Sequence, residues 1–171
     1  MRFDLNPTPD QHSFLIVEND PNDAFLIHRA LNKGGCGSSS VCRNPSEAKA
    51  YLRGAGMYAD RGRFPSPHVV ITDLRMGAES GIELVEWIRQ QEAPLKDVPV
   101  IILTGSASQL QFDAAEKVGA QRVYRKPTRL EDLEVLLAGI AREFCSDLPT
   151  AEPSASARRS TVDDLPTSLS T

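Results

Sequence analysis

The chain has little that would suit it to a membrane, an oxidising compartment or a polyanion. No apolar run approaches the ~18 residues of a membrane span, and the start, MRFDLNPTPD, lacks the basic flank and apolar stretch of an export signal. A soluble, unexported, cytoplasmic protein is the expectation. The three cysteines, Cys36, Cys42 and Cys145, form no CxxC pair, and an odd number without secretory context predicts reduced, structurally buried thiols. His12 and His28 stand at no metal-ligand spacing to any cysteine, so zinc is not expected. Positive charge is scarce as well: 19 Lys and Arg against 23 Asp and Glu give a formal net charge of −4, and no basic run exceeds Arg158-Arg159. Nucleic acid is therefore not expected as a partner, since binding it needs a basic footprint. What is present is ordinary, with 40% hydrophobic and 25% charged residues, enough for a packed core.

At 171 residues the chain is near the length of one domain. Residues 146–171 are rich in Ser, Thr, Pro and Ala and contain no aromatic residue. Such a segment buries too little apolar area to offset its ordering entropy, so a disordered tail is predicted there. Residues 1–11 are expected to be an N-terminal extension, leaving residues 12–145 as the folded domain with no second domain after it. Within it, Ser13–Val17, Ser39–Cys42, Val69–Thr72, Val98–Leu103 and Val123–Arg125 are short, apolar or β-branched, and read as strands. Asp23–Asn32, Ser46–Leu52, Gly81–Gln91, Gln109–Val118 and Leu130–Phe144 carry apolar residues at helical spacing. Strict βα alternation predicts an α/β fold, a doubly wound five-stranded parallel sheet with helices on both faces. The stretch Arg53–His68, with three glycines and two prolines, is predicted to be a surface loop at the foot of the third strand. Trp87 is expected in the core.

In such sheets polar sites form beyond the carboxyl ends of the strands, at the switch point. Glu18-Asn19-Asp20 follows the first strand, Asp73 ends the third, Thr104 ends the fourth, and Lys126-Pro127 follows the fifth. Clustered carboxylates repel unless a hard cation lies between them, and oxygen ligands with water-filled positions suit Mg²⁺. A carboxylate beside that metal, a hydroxyl and a lysine form a set able to accept a phosphoryl group, with Asp73 as nucleophile. Each piece also has a plainer reading. Asp73 and Thr104 could be turn residues bonding backbone, Lys126-Pro127 a loop, and Glu18-Asn19-Asp20-Pro21 merely the cap of the first helix. Their joint placement favours the site.

The residues FLIVEND, VVITDLRMGAESG, VIILTGSAS and VYRKPT, in this order and spacing, resemble the receiver domain of two-component response regulators over roughly residues 12–145. The resemblance implies the flavodoxin-like (βα)5 receiver fold with strand order 2-1-3-4-5. It also implies that Asp73 takes a phosphoryl group from a histidine kinase, with Thr104 bonding that group and Lys126 pairing with it. The acidic pair, here Glu18 and Asn19, would hold Mg²⁺ with Asp73 and the backbone carbonyl of Arg75. Gly81 would close the loop behind the site, and Lys126-Pro127 would be a cis bond.

Three departures stand out. Asn19 replaces an acid, which lowers metal affinity unless Asp20 takes over. Gly77 stands where proline is common, and Val123 where the family places an aromatic switch, with Tyr124 one position later. Arg75 would stand at the mouth of the site, either as a solvated loop residue or as a group offsetting acidic charge. The VENDPNDAFLIHRAL start and the YADRGRFPSP and APLKDVPVIILTGSAS stretches resemble single-domain regulators that serve bacterial phytochrome-type histidine kinases. Many receivers pair through the fourth helix, fifth strand and fifth helix, and a homodimer of that kind is compatible with this sequence. The resemblance implies a signalling phosphoacceptor rather than an enzyme that turns over a substrate. The main alternative is a phosphorylation-independent pseudo-receiver adaptor, for which Asn19 is the best support. A flavodoxin-type cofactor binder is disfavoured because Glu18-Asn19-Asp20 would repel a phosphate, and a haloacid-dehalogenase-type phosphatase because Arg75 stands where its second aspartate would be.

Overall fold

Alternation of side chains along the central strands, with both sets apolar, requires cover on both faces of the sheet. In the computed structural model, which describes residues 12–145 apart from Ser106, β1 (Ser13–Val17) turns Leu15 and Val17 to one face and Phe14 and Ile16 to the other. The first face is covered by α2 (Pro45–Arg53), α3 (Gly81–Arg89) and α4 (Gln109–Lys117), which contribute Tyr51, Leu84, Ile88 and Ala115. The second is covered by α1 (Pro21–Lys33) and α5 (Leu130–Phe144), through Ile27, Leu31, Leu133, Leu137 and Ile140. Each large aliphatic side chain buried this way contributes ~1.5–3 kcal/mol.

The strands β2 (Ser38–Cys42), β3 (Val69–Thr72), β6 (Val100–Thr104) and β7 (Arg122–Arg125) pair in parallel with β1 in the order β2-β1-β3-β6-β7. With β6 and β7 as the fourth and fifth strands of this sheet, the order is the 2-1-3-4-5 of the expected fold. The chain leaves β1 toward one edge and returns to β3 on its other side, so the switch point lies between the ends of β1 and β3. There Val17 is in register with Thr72, and the Asp73 N–H donates to the Val17 carbonyl at 3.0 Å.

The predicted bounds of β1, β3 and α5 coincide with the observed ones. The sequence pattern missed a two-stranded hairpin, β4 (Arg75–Met76) and β5 (Glu79–Ser80), whose strands are too short for any periodicity to register. The loop after α2 does run over the surface, but not as a bare connection. Tyr58 is buried against Tyr51 and Phe64, and the Arg61 guanidinium donates to the carbonyls of Tyr51, Leu52 and Phe64. Trp87 is corrected from core to half-buried, because Leu84, Val85 and Ile88 already occupy the inward stripe of α3. Its ring instead carries the Arg53 guanidinium 4.7 Å above its centre. All three cysteines are buried and free, and burial pushes the Cys42 thiol up to about 12 and that of Cys145 up to about 11. The predicted extension 1–11 and tail 146–171 lie outside the described residues. Among the described residues no helix is long and apolar enough to cross a membrane.

Gly81 illustrates how tightly the turn after β3 is drawn. Its N–H donates to Leu74 at 2.9 Å, and a Cβ placed on it would lie 2.2 Å from the Asp73 carbonyl oxygen. Since a backbone atom cannot step aside as a side-chain tip can, Gly81→Ala should cost ~1–3 kcal/mol, read as a lower midpoint in urea unfolding. An unchanged midpoint would show that the turn yields freely.

Candidate functional site

Where β1 ends, the chain must turn into α1, and that turn sets out the first side chains of the site. Pro21 suits the first helical position, and Asp20 is the cap, its Oδ1 accepting the Asn22 and Asp23 N–H groups at 2.8 and 3.1 Å. The capping reading of this segment therefore holds for Asp20, through Oδ1 of its carboxylate. Glu18 does something else. It is buried, with its Oε1 accepting the Asp20 N–H at 3.0 Å and its Oε2 facing inward across the sheet. Asn19, between them, is exposed.

Asp73 follows β3 and is half-buried, with Oδ1 accepting the N–H of Leu74 at 2.7 Å, which fixes the plane of its carboxylate. Arg75 opens the hairpin, pairing with Ser80. A tight turn at Gly77, with φ 75°, lets the hairpin close, a backbone that the proline common at this position in the family could not adopt. On the far side Glu79 fastens the hairpin to α2, accepting from the Ser46 hydroxyl at 3.1 Å and from the Ser46 N–H at 3.3 Å. Thr104 ends β6 fully buried, and its carbonyl accepts the N–H of Lys126 at 2.8 Å, which places Lys126 one residue beyond the paired end of β7.

Lys126 then closes the site. Its Nζ reaches Glu18 Oε2 at 2.5 Å and Asp23 Oδ2 at 2.7 Å, with only 14% of the side chain exposed. The expected cis bond is not at Lys126-Pro127: the cis peptide found among the described residues is Ala93-Pro94, and the lysine reaches the acids from a trans bond. Burial of the ammonium lowers its pKa, but the hydrogen bonds to Asp23 and Glu18 and the charge of Asp73 outweigh this and hold it above its ordinary value. For Glu18, burial and the nearby Asp73 push the carboxyl up, against the opposing pull of Lys126.

The structure thus gathers Glu18, Asp73, Thr104 and Lys126 at one edge of the sheet, with Asn19 and the Arg75 backbone beside them. Asp23 belongs to this group and escaped the sequence reading. Its only signal was an acid in the first turn of a helix whose N-terminus faces the strand ends. Among the described residues no three His, Cys, Asp or Glu side chains are grouped so as to hold a metal ion by themselves. A cation here would take two carboxylates, from Glu18 and Asp73, with neutral oxygens from Asn19 and the Arg75 carbonyl and with water. That donor set fits Mg²⁺, which keeps several waters and is commonly bound through one or two carboxylates.

Comparisons with known proteins bear on the fold and family of the chain. Residues 14–138 match the family model described as response regulator receiver domain. The chain is 31% identical over 132 residues to the probable methanogenesis regulatory protein FilR2 of Methanothrix harundinacea, covering 77% of this chain and 82% of that one. With the response regulator Rcp1 of Synechocystis sp. it shares 27% identity over 127 residues, 74% of this chain and 84% of the other. The structure of the Mn²⁺-bound form of Rcp1 superposes with a TM-score of 0.68 at 24% identity, over 81% and 97% of the two chains. That of the phosphorylated cyanobacterial phytochrome response regulator RcpA does so with a TM-score of 0.70 at 24% identity, over 83% and 99%.

Removing the lysine would leave the 2%-exposed Glu18 side chain beside Asp73 with no cation. Lys126→Met should therefore destabilise the protein by ~3 kcal/mol in chelator, as breaking a buried pair does. Added Mg²⁺ should recover part of that loss in the same urea titration. A variant as stable as wild type in chelator would show that the pair is incidental to the fold.

Proposed function

The chain belongs to the response regulator receiver family, and on that footing we propose that it accepts a phosphoryl group on Asp73 from a phosphohistidine of a sensor histidine kinase. The observation that carries this is the position of Asp73 at the switch point, its carboxylate oriented by Leu74, with Lys126 bound to Glu18 next to it. In the transfer an Asp73 oxygen attacks phosphorus, the phosphorus–nitrogen bond breaks, and the imidazole leaves with the electron pair. No proton has to be removed from the nucleophile, so the site needs no general base. Charge on the equatorial oxygens is the main obstacle, and preorganised cations and donors are what lower it.

Receiver domains bind a divalent metal, and Rcp1 has been solved with Mn²⁺. In this chain Glu18, Asn19, Asp73 and the Arg75 carbonyl would hold Mg²⁺, which neutralises phosphoryl charge when bound. Asp20, taken up in capping α1, contributes to that set by holding the backbone between Glu18 and the helix. Lys126 would pair with one phosphoryl oxygen. Thr104, at the end of β6, would supply a hydroxyl donor to another. At the family's aromatic position Val123 packs on the α4 face of the sheet, while Tyr124 packs on the opposite, α5 face.

The likeness to Rcp1 and to the phytochrome response regulator RcpA supports a phytochrome-type histidine kinase as the donor. Exposed Leu110 on α4, close in the fold to β7, supports α4, β7 and α5 as the face of a homodimer. The chain acts in this reading as a phosphoacceptor that turns over only its own phosphoryl group.

Incubation with a small phosphodonor and Mg²⁺ should add one phosphate to wild type and none to Asp73→Asn, as read by intact-protein mass. Equal labelling of the two would overturn the assignment. A second measurement addresses Asn19. A carboxylate attracts Mg²⁺ through a full charge where the amide offers only a dipole, so Asn19→Asp should tighten Mg²⁺ at least several-fold in a calorimetric titration. If neither protein binds Mg²⁺ at millimolar concentration, the phosphorylation-independent adaptor becomes the better account.

A further inference from the structure

Lys126 has two carboxylate partners, and they differ in what they can tolerate. Glu18 is buried at the end of β1, whereas Asp23, on the first turn of α1, has a 41%-exposed side chain. An ammonium has three protons to donate, and here two already point at carboxylates. The third is free, but among the described residues Nζ forms its ion pairs with Glu18 and Asp23 and none with Asp73, so pairing with a phosphoryl group there draws the ammonium away from the acids it now bridges. Releasing Glu18 would leave a buried carboxylate without its cation, which is costly; releasing Asp23 leaves a carboxylate that water can reach. The α1 turn holds Asp23 in place whether or not the lysine is there, because Asp20 Oδ1 accepts its N–H and the Asp20 carbonyl accepts that of Ala24.

We propose that Asp23 is a positioning residue that holds Lys126 in the unmodified protein and gives it up on phosphorylation. It thereby sets how strongly the site favours the unmodified state. The proposal rests on Asp73 being the phosphoacceptor. Its consequence is that weakening the Asp23 bond favours the modified form, since the lysine then turns to the phosphoryl group without first losing a partner.

The test uses beryllofluoride, which bonds to an aspartate oxygen in the geometry of a phosphoryl group, titrated into the full chain at saturating Mg²⁺. Asp23→Asn should bind it several-fold more tightly than wild type, while Asp23→Glu, which keeps a carboxylate within reach, should stay near wild type. Removing a negative charge near an anion would favour binding without any role for the lysine, so both measurements are repeated in a Lys126→Ala background. There the gain from Asp23→Asn should vanish. Equal or weaker binding by Asp23→Asn, or a gain that persists without the lysine, overturns the assignment of Asp23 and leaves Asp73 untouched. Failure of folded wild type to bind beryllofluoride overturns the phosphoacceptor reading and this inference with it.

Discussion

The ion pair between Glu18 and Lys126 joins residues 108 apart in sequence, one at the end of the first strand and the other past the last, across the carboxyl edge of the whole sheet. It depends on the register of the sheet: Val17 lies opposite Thr72 and Thr72 opposite Ile102, so β6, with β7 paired to its end, reaches two residues past the ends of β1 and β3. Taking both charges out of water is expensive, so this contact is weak as a source of net stability. Its value is positional. A lysine held at 2.5 Å from a buried glutamate is kept at the carboxyl edge of the sheet, where the charge of Asp73 acts on it.

The hydrophobic architecture was legible in the sequence because apolar burial follows period, and period survives in the amino-acid order. Ser13–Val17, Val69–Thr72 and Leu130–Phe144 were readable to the residue for this reason. The ends of the predicted strands led directly to Glu18, Asp73, Thr104 and Lys126. What could not be read depends on contacts between elements, which leave no period. Asp23 joins the site through a lysine 103 residues away, and nothing in PNDAF distinguishes it from an ordinary first-turn acid. Trp87 is an apolar residue suited to the core, but its place on α3 leaves it half-buried at the rim of the core, where the Arg53 guanidinium stacks over its ring. Asp20 was readable both as a ligand and as a cap, and the turn shows it capping α1 through Oδ1.

The hairpin after Asp73 is the place where this chain departs most from what its resemblance implied. With glycine at position 77 the loop gains a left-handed residue, closes on itself, and is then tied to the first turn of α2 through Glu79 and Ser46. The carboxylate also meets the positive end of the α2 helix at the Ser46 N–H, a favourable arrangement for an anion. Stiffness that proline would have supplied within the chain is supplied here by a neighbouring element. As a result the backbone around Arg75 depends on how α2 is seated.

The strand order has a further consequence at its two ends. A parallel sheet of five strands leaves β2 and β7 with one unpaired side each, and an open edge is a template for adding strands from another molecule. Neither edge is well suited to that. β2 is five residues long and begins with three serines, while β7 is four residues long and bracketed by the exposed guanidinium groups of Arg122 and Arg125. Runs this short and polar gain little by extending into a second sheet, and two facing rows of arginine would repel. Lateral polymerisation is thereby discouraged at both flanks, and copies of the protein that meet at high concentration are left to associate through helical surfaces, where contact can be made and broken without unravelling the sheet.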